Sequence, residues 1–459
     1  MQTDRNDVDL SAAIEEALFY VDSPTSAVTG DDDLAALPSC FDVTGLAVAS
    51  IGAACAELAA LAGRPSDQQV VVSRRLASLW FGMSIRPQGW EMPPVWDAIA
   101  GLYRSKDNWI RLHTNAPHHR HAALDVLSCE AIREDVAARV SQWTAEDLER
   151  EIVGNGGCAA ALRSKEEWDA HPQGVASQEE PLIAWTEGES TASALSFGTE
   201  SLPLKGLRVL DCTRVLAGPV CTRLLAGYGA EVLRVDPPGW DEANVEPEVT
   251  LGKRMTTLDL RESADKQCFE KLLASADVFI HGYRSDALEG LGLGDERRRA
   301  INPALIDVSL SAYGWTGPWA TRRGYDSLVQ MSSGIVHEGM LRGDGKTPTP
   351  LPVQALDHAT GYLMAAAALR ALRVRREAGT ALSARLSLAR TAVLLKGTVR
   401  NGTSVAFTDE DIADLTTDLE STYWGPARRV RFPVIEGLAP PNWRHPARPL
   451  HSDASEWPS

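Results

Sequence analysis

Apolar and polar positions change period along this chain, most sharply across residues 351–372, LPVQALDHATGYLMAAAALRAL. A short apolar run ends in Ala355-Leu356-Asp357-His358, and a long Ala/Leu helix follows at once. That junction predicts Asp357 as a helix N-cap, or as a carboxylate held out towards a ligand. Upstream, short apolar runs alternate with helical periods. They predict strands over 207–211, 231–235, 255–258, 278–281 and 305–310, and helices over 219–226, 264–276 and 326–332. Pro219 in the first turn and Gly227 past the end punctuate the first of these helices. Apolar strands alternating with helices imply an α/β fold with a doubly wound, mostly parallel sheet covered on both faces.

Ahead of that region the pattern is different. Residues 43–63 form a small-residue helix, 69–73 a β-branched run and 74–82 a second apolar helix. Shifted by 315 residues, Asp42 falls on Asp357, the Ala-rich helix falls on the later one, and Arg75 falls on Arg390. The matching order predicts a partial internal repeat. No strand run precedes Asp42, which is therefore read as structural. Residues 1–107 are read as this helical segment plus a Pro/Trp-rich linker over 85–107, and residues 108–190 as a second, smaller α/β domain. The latter is predicted from strands over 109–113 and 159–162, helices over 118–127 and 144–152, and a capping box at Ser164–Glu167. Residues 191–203 close a polar boundary that starts near 171; the sheet domain runs over 204–400, and 401–459 is expected to wrap the surface.

Composition narrows the function. The chain has 459 residues, 44% of them hydrophobic and 23% charged, with a net charge of −17. A surplus of acid argues against a phosphate-backbone binder. The polar, acidic start resembles neither a secretory signal nor a transit peptide, and no apolar run is expected to reach a membrane span. Seven scattered cysteines without a CxxC pair predict reduced thiols and a cytoplasmic setting. His113, His118, His119 and His121 crowd together with no Cys, Asp or Glu among them. They are read as a polar helix start, and no metal is expected.

A doubly wound sheet holds its ligand beyond the carboxyl ends of the strands. Those ends are the turns 211–219, 236–239, 281–284 and 311–318. The first has only Gly218 before Pro219 and lacks G-x-G-x-x-G, which argues against a dinucleotide enzyme. Arg214, Lys253, Arg254, Arg261, Arg284, Arg322 and Arg323 lie near those ends and together suit a phosphorylated ligand such as a nucleotide or coenzyme A.

The blocks 204–239, 252–261, 276–284, 311–318, 323–326 and 355–361, in that order, resemble the class III coenzyme A transferases, the carnitine dehydratase/bile-acid-inducible family. The resemblance implies a transferase moving CoA from an acyl-CoA to a carboxylic acid, with Asp357 as covalent nucleophile. It also implies that Val215, Leu216, Ala217, Leu258, Arg261, Gly282, Tyr283, Arg284, Arg323, Tyr325 and Asp326 line the coenzyme cleft. Coenzyme A would be a substrate, with no tightly bound cofactor, and the protein a homodimer. The helix start at Asp357 is expected to keep the carboxylate ionised and to offer N–H groups to developing negative charge. The chain departs from the family pattern at Leu216, Pro237 and 282–286, and its small domain precedes the sheet domain. Two alternatives stand beside the transferase. Racemases of the same fold pair a His with the aspartate, in a slot held here by Tyr325. A non-catalytic CoA-binding scaffold is the other.

Overall fold

The strands of one sheet make the centre of the molecule, a computed structural model that describes residues 9–19, 25–190, 198–199, 201–399 and 405–458. They are β1 (Ala184–Ser190), β2 (Arg208–Cys212), β3 (Glu231–Asp236), β4 (Arg254–Thr257), β5 (Val278–His281), β6 (Ile306–Ser311) and β7 (Thr380–Ser387). Their order across the sheet is β4-β3-β2-β5-β6-β7-β1. Neighbours from β4 to β7 run parallel, and β1 closes the edge antiparallel to β7. Every residue of β5 is buried, as the apolar run Val278-Phe279-Ile280 requires of a strand covered twice. The fold class is thus the α/β, mostly parallel sheet that the sequence pattern implies. Chain order reverses direction between β2 and β5, so the sheet has its switch point there.

Five helices frame the sheet and its switch point: α1 (Val43–Leu61), α2 (Pro117–Leu127), α3 (Ala217–Gly227), α4 (Asp326–Ser332) and α5 (Ala355–Ala378). α5 is buried from Ala355 to Arg375, its Ala/Leu run covered all round and its inner arginines Arg370 and Arg373 paired in the interior. It packs against α1, α3, β6 and β7. Gly361 is what lets α5 approach α3: a Cβ there would lie 2.3 Å from the Ala217 carbonyl oxygen. Gly379, at φ +71°, ends the helix in the left-handed conformation. Between α1 and α5, Glu57 accepts from Arg370 at 2.6 Å and from Arg373 at 2.9 Å, all three side chains being buried.

α1 corrects one expectation. At 19 residues it is long and apolar enough, by length and composition, to cross a membrane, but nearly all of it is buried inside the protein. Its uniform apolarity is that of an interior helix packed on α5.

The smaller unit is an antiparallel sheet of Gly101–Arg104, Trp109–Leu112 and Ala159–Ala161. With α2, Arg133–Val140 and Ala145–Gly154 it encloses its own core of Ile110, Leu112, Leu127, Val136 and Leu148. Its Cys158, Ala160 and Leu162 share a cluster with Leu328 and Met331 of α4, which seats the unit beside the large sheet. The Ser164–Glu167 capping box is present.

Two stretches read as linkers contain structure. Ile85–Pro87 pairs with Gly425–Arg429, and Gly101–Arg104 belongs to the small sheet. Pro172–Glu179 is a helix and Ala184–Ser190 is β1. The polar sequence of β1 suits an edge strand whose Thr186 and Glu187 are exposed. Most of the 191–203 linker, and residues 401–404 of the tail, lie outside the described residues. The rest of the tail returns across the surface, where the Trp443 indole donates to the Arg223 carbonyl at 2.9 Å.

Candidate active site

The turn after β2 is held by a buried carboxylate. Asp211 accepts from the Thr213 N–H at 2.9 Å and hydroxyl at 2.6 Å, and its other oxygen accepts from Thr222 at 2.5 Å and Lys253 at 3.1 Å. The chain then passes through Val215 at φ +65°, a left-handed conformation that a β-branched residue adopts only under constraint. The Val215 N–H donates to Glu242 at 2.8 Å, which supplies part of that constraint. Leu216 is the N-cap of α3 and provides no side-chain cap. No described residue accepts from the N–H groups of Ala217 or Gly218, so the amino end of α3 offers two free donors.

Asp357 comes from α5, and the structure changes its role. α5 begins at Ala355 with Gln354 as N-cap, placing Asp357 inside the first turn. The capping carboxylate is Asp326, at the start of α4. It accepts from the Asp357 N–H at 2.9 Å, from the Leu356 N–H and from the Gln330 amide. The Asp357 carboxylate accepts no hydrogen bond from the described residues and lines a cavity of about 360 Å³. Burial and the neighbouring Asp326 push its pKa well above the usual carboxylate range. Burial raises Asp326 too, to about 6, against the lowering effect of its hydrogen bonds. The helix start therefore does not keep Asp357 ionised as expected, because Asp326 has taken its N–H groups. Those groups are equally unable to hold a developing oxyanion. The free donors are those at the amino end of α3.

The cavity opens at the β2/β5 switch point. Of the residues expected in the coenzyme cleft, Val215, Leu216, Ala217, Gly282, Tyr283, Arg284, Arg323 and Tyr325 line it together with Asp357. Three do not. Leu258 is buried in a core cluster, Arg261 is exposed and paired to Asp259 at 2.7 Å, and Asp326 is wholly buried behind Asp357. The Arg214 guanidinium sits over Trp240 at 4.7 Å and Tyr283 at 5.6 Å, a stacked cation at the cavity wall. A wider groove of about 730 Å³ shares Arg284 but lacks Asp357.

The four histidines do not all meet at one point. His113 stacks on Tyr325 with ring centroids 3.7 Å apart, His121 lies 3.4 Å from Asp125 on the surface, and His118 and His119 line the cavity. His119 stands edge-on to Tyr325, with 6.0 Å between centroids. In sequence, His118 and His119 are no more than part of a polar helix start. Their crowding is the one available signal, and the seating of the small unit is not readable there. His358 points away from the cleft and stacks on Phe81 at 5.1 Å.

Residues 204–410 match the model of CoA-transferase family III. An acyl-CoA transferase of Fusarium pseudograminearum is 30% identical over 281 residues, covering 56% of this chain and 58% of the relative. A probable fatty acyl-CoA transferase of Mycobacterium tuberculosis is 37% identical over 193 residues, covering 39% of this chain and 48% of the relative. A crystal structure of a CAIB/BAIF family protein from Brucella suis aligns over 49% of this chain and 65% of that one, with 29% identity and a TM-score of 0.39. The chain spans about half the length of the curated relatives it matches.

Proposed function

We propose that this chain, whose residues 204–410 are of CoA-transferase family III, moves coenzyme A from an acyl-CoA to a carboxylic acid through Asp357. The observation that carries the reading is a buried carboxylate, free of hydrogen bonds from described residues, facing a switch-point cavity. An Asp357 oxygen attacks the thioester carbonyl, the C–S bond breaks, and the CoA thiolate leaves a mixed anhydride. The thiolate then attacks the Asp357 carbonyl carbon, releasing the donor acid and leaving an aspartyl–CoA thioester. An acceptor carboxylate takes the same steps in reverse and regenerates the Asp357 carboxylate. The α3 N-terminal donors of Ala217 and Gly218 line the same cavity and suit the oxyanions formed on the way. Arg284 suits the phosphates of the coenzyme, and Arg214 with Trp240 and Tyr283 forms a flat wall against it.

On this reading the substrates are an acyl-CoA and a carboxylic acid, with no tightly bound cofactor, and the enzyme works as a cytoplasmic homodimer. The region 204–400 supplies the nucleophile and most of the cleft, and the unit over 108–190 closes it. The test is exchange of CoA between a panel of acyl-CoA thioesters and isotopically labelled acids, in the wild type and in Asp357→Ala. The proposal expects exchange in the first only; exchange surviving in the variant contradicts it.

One observation favours a second reading. His119 shares the cavity with Asp357, so an imidazole and a carboxylate line one cavity despite Tyr325 in the expected slot. A racemase would incorporate solvent deuterium at the α-carbon of an acyl-CoA with no acceptor acid present, and a transferase would not.

A further inference from the structure

α2 reaches the Asp357 cavity end-on from the small unit. It starts at Pro117 with Ala116 as N-cap, and no side chain caps it. The N–H groups of His119 and Arg120 both turn back to the Ala116 carbonyl at 3.0 Å, while that of His118 donates to no described residue. His118 and His119 line the cavity with ring centroids 4.0 Å apart. His119 is only 2% exposed, yet neither of its ring nitrogens has a partner among the described residues. Buried imidazoles are ordinarily hydrogen-bonded, so this one is explained best by a ligand that arrives. Arg323 lines the same cavity, exposed, with no ion pair among the described residues.

The donors gathered here are a helix amino end, an imidazole and a guanidinium, and their common complement is an oxyanion. Burial, His118 and Arg323 hold the His119 pKa down to about 3, so the empty site has a neutral ring with one N–H to give. Such a donor suits a small planar carboxylate better than a hydrated phosphate. For phosphate, the partly exposed Arg284 is the natural contact.

We propose that the first turn of α2, with His119 and Arg323, is the subsite that receives the carboxylate of the acceptor acid. The assignment rests on the transferase reading. It gives the small unit a defined task, orienting the incoming acid towards the carbonyl formed on Asp357.

Three variants test it. His119→Phe fills the same space without a donor, His119→Gln restores one, and Arg323→Gln alters an exposed side chain without disturbing the fold. In steady-state CoA exchange with butyrate as acceptor, His119→Phe raises the acceptor KM about tenfold or more, the scale of one lost bond to a charged group. The acyl-CoA KM stays within a factor of two. His119→Gln recovers most of the loss, and Arg323→Gln shifts the same constant by a smaller factor. An acyl-CoA KM that rises in place of the acceptor KM identifies the bound oxyanion as a coenzyme phosphate and overturns the assignment, as does no change in either. A binding measurement separates the subsite from the chemistry. Butyrate titrated into protein carrying 15N-labelled histidine moves the His119 ring signals saturably, and inorganic phosphate at equal concentration moves them less. If CoA exchange is absent but the titration saturates, the subsite stands and the transferase reading falls. A flat titration beside active exchange does the reverse.

Discussion

α1 and α5 are both long, alanine-rich and headed by an aspartate, and they pack against each other, yet their two aspartates do opposite things. Asp42 is the N-cap of α1 and accepts from the Gly45 N–H at 2.7 Å, while its own N–H donates to the Thr398 hydroxyl at 3.0 Å. A Cβ at Gly45 would come within 2.2 Å of the Asp42 carboxylate, so glycine makes room for the cap. Position 45 shifted by 315 is Thr360, whose hydroxyl meets Thr391 at 2.7 Å. α5 starts earlier relative to its aspartate, at Ala355, and Asp326 satisfies the N–H groups that Asp357 would otherwise cap. One carboxylate performs the structural task and leaves the other facing a cavity. A free, destabilised carboxylate therefore depends on a second acid placed behind it.

That comparison is most severely tested by removing each aspartate. Asp357→Ala is expected to lower CoA transfer by at least about 10³-fold in kcat, as loss of a nucleophile does. Asp42→Ala should leave kcat within a factor of two, measured in the same exchange assay. Next in size is the contact between the helices. Glu57→Ala strands Arg370 in the interior and removes one buried partner of Arg373, and should cost about 3–5 kcal/mol in denaturant unfolding, because a buried charge left alone is expensive.

A smaller effect concerns pH. The folded-state pKa of Asp357 is raised, so the protonated form is favoured in the folded protein, and stability falls as pH rises from the ordinary carboxylate range through the folded value. Asp357→Asn, which is never charged, should be the more stable protein above the ordinary carboxylate range, with the difference vanishing near pH 4 in thermal melts. Transfer should increase as pH rises above the ordinary carboxylate range, since burial and the neighbouring Asp326 favour the protonated Asp357 and it must lose that proton to attack. The smallest effect is the loss of the Asp42 cap, which should cost about 1 kcal/mol in the Asp42→Ala melt.

Physical reasons separate what is legible in the sequence from what is not. β2, β3 and β5 are apolar runs buried on both faces, and such runs identify themselves. β1 has the sequence of a boundary, because an edge strand can be polar. Asp357 stands out by its sequence surroundings, and the cavity gathers most of the residues that the family resemblance names. Its relation to Asp326 is not legible, because a capping partner 31 residues away is set by the packing of α4 against α5. The expectation that a helix start ionises its aspartate is sound locally and fails for that tertiary reason. His119 escapes detection similarly, since local sequence tells nothing of which way a second unit turns its helix.

The central claim is that Asp357, and not its counterpart on α1, becomes covalently attached to the substrate. Wild-type protein incubated with acyl-CoA thioesters and trapped with borohydride or hydroxylamine, then digested and mass-mapped, tests it directly. The account predicts a modification confined to the peptide bearing Asp357, absent from Asp357→Ala and never on the peptide bearing Asp42. An unmodified Asp357 across a broad acyl-CoA panel, together with undiminished transfer in Asp357→Ala, would contradict it.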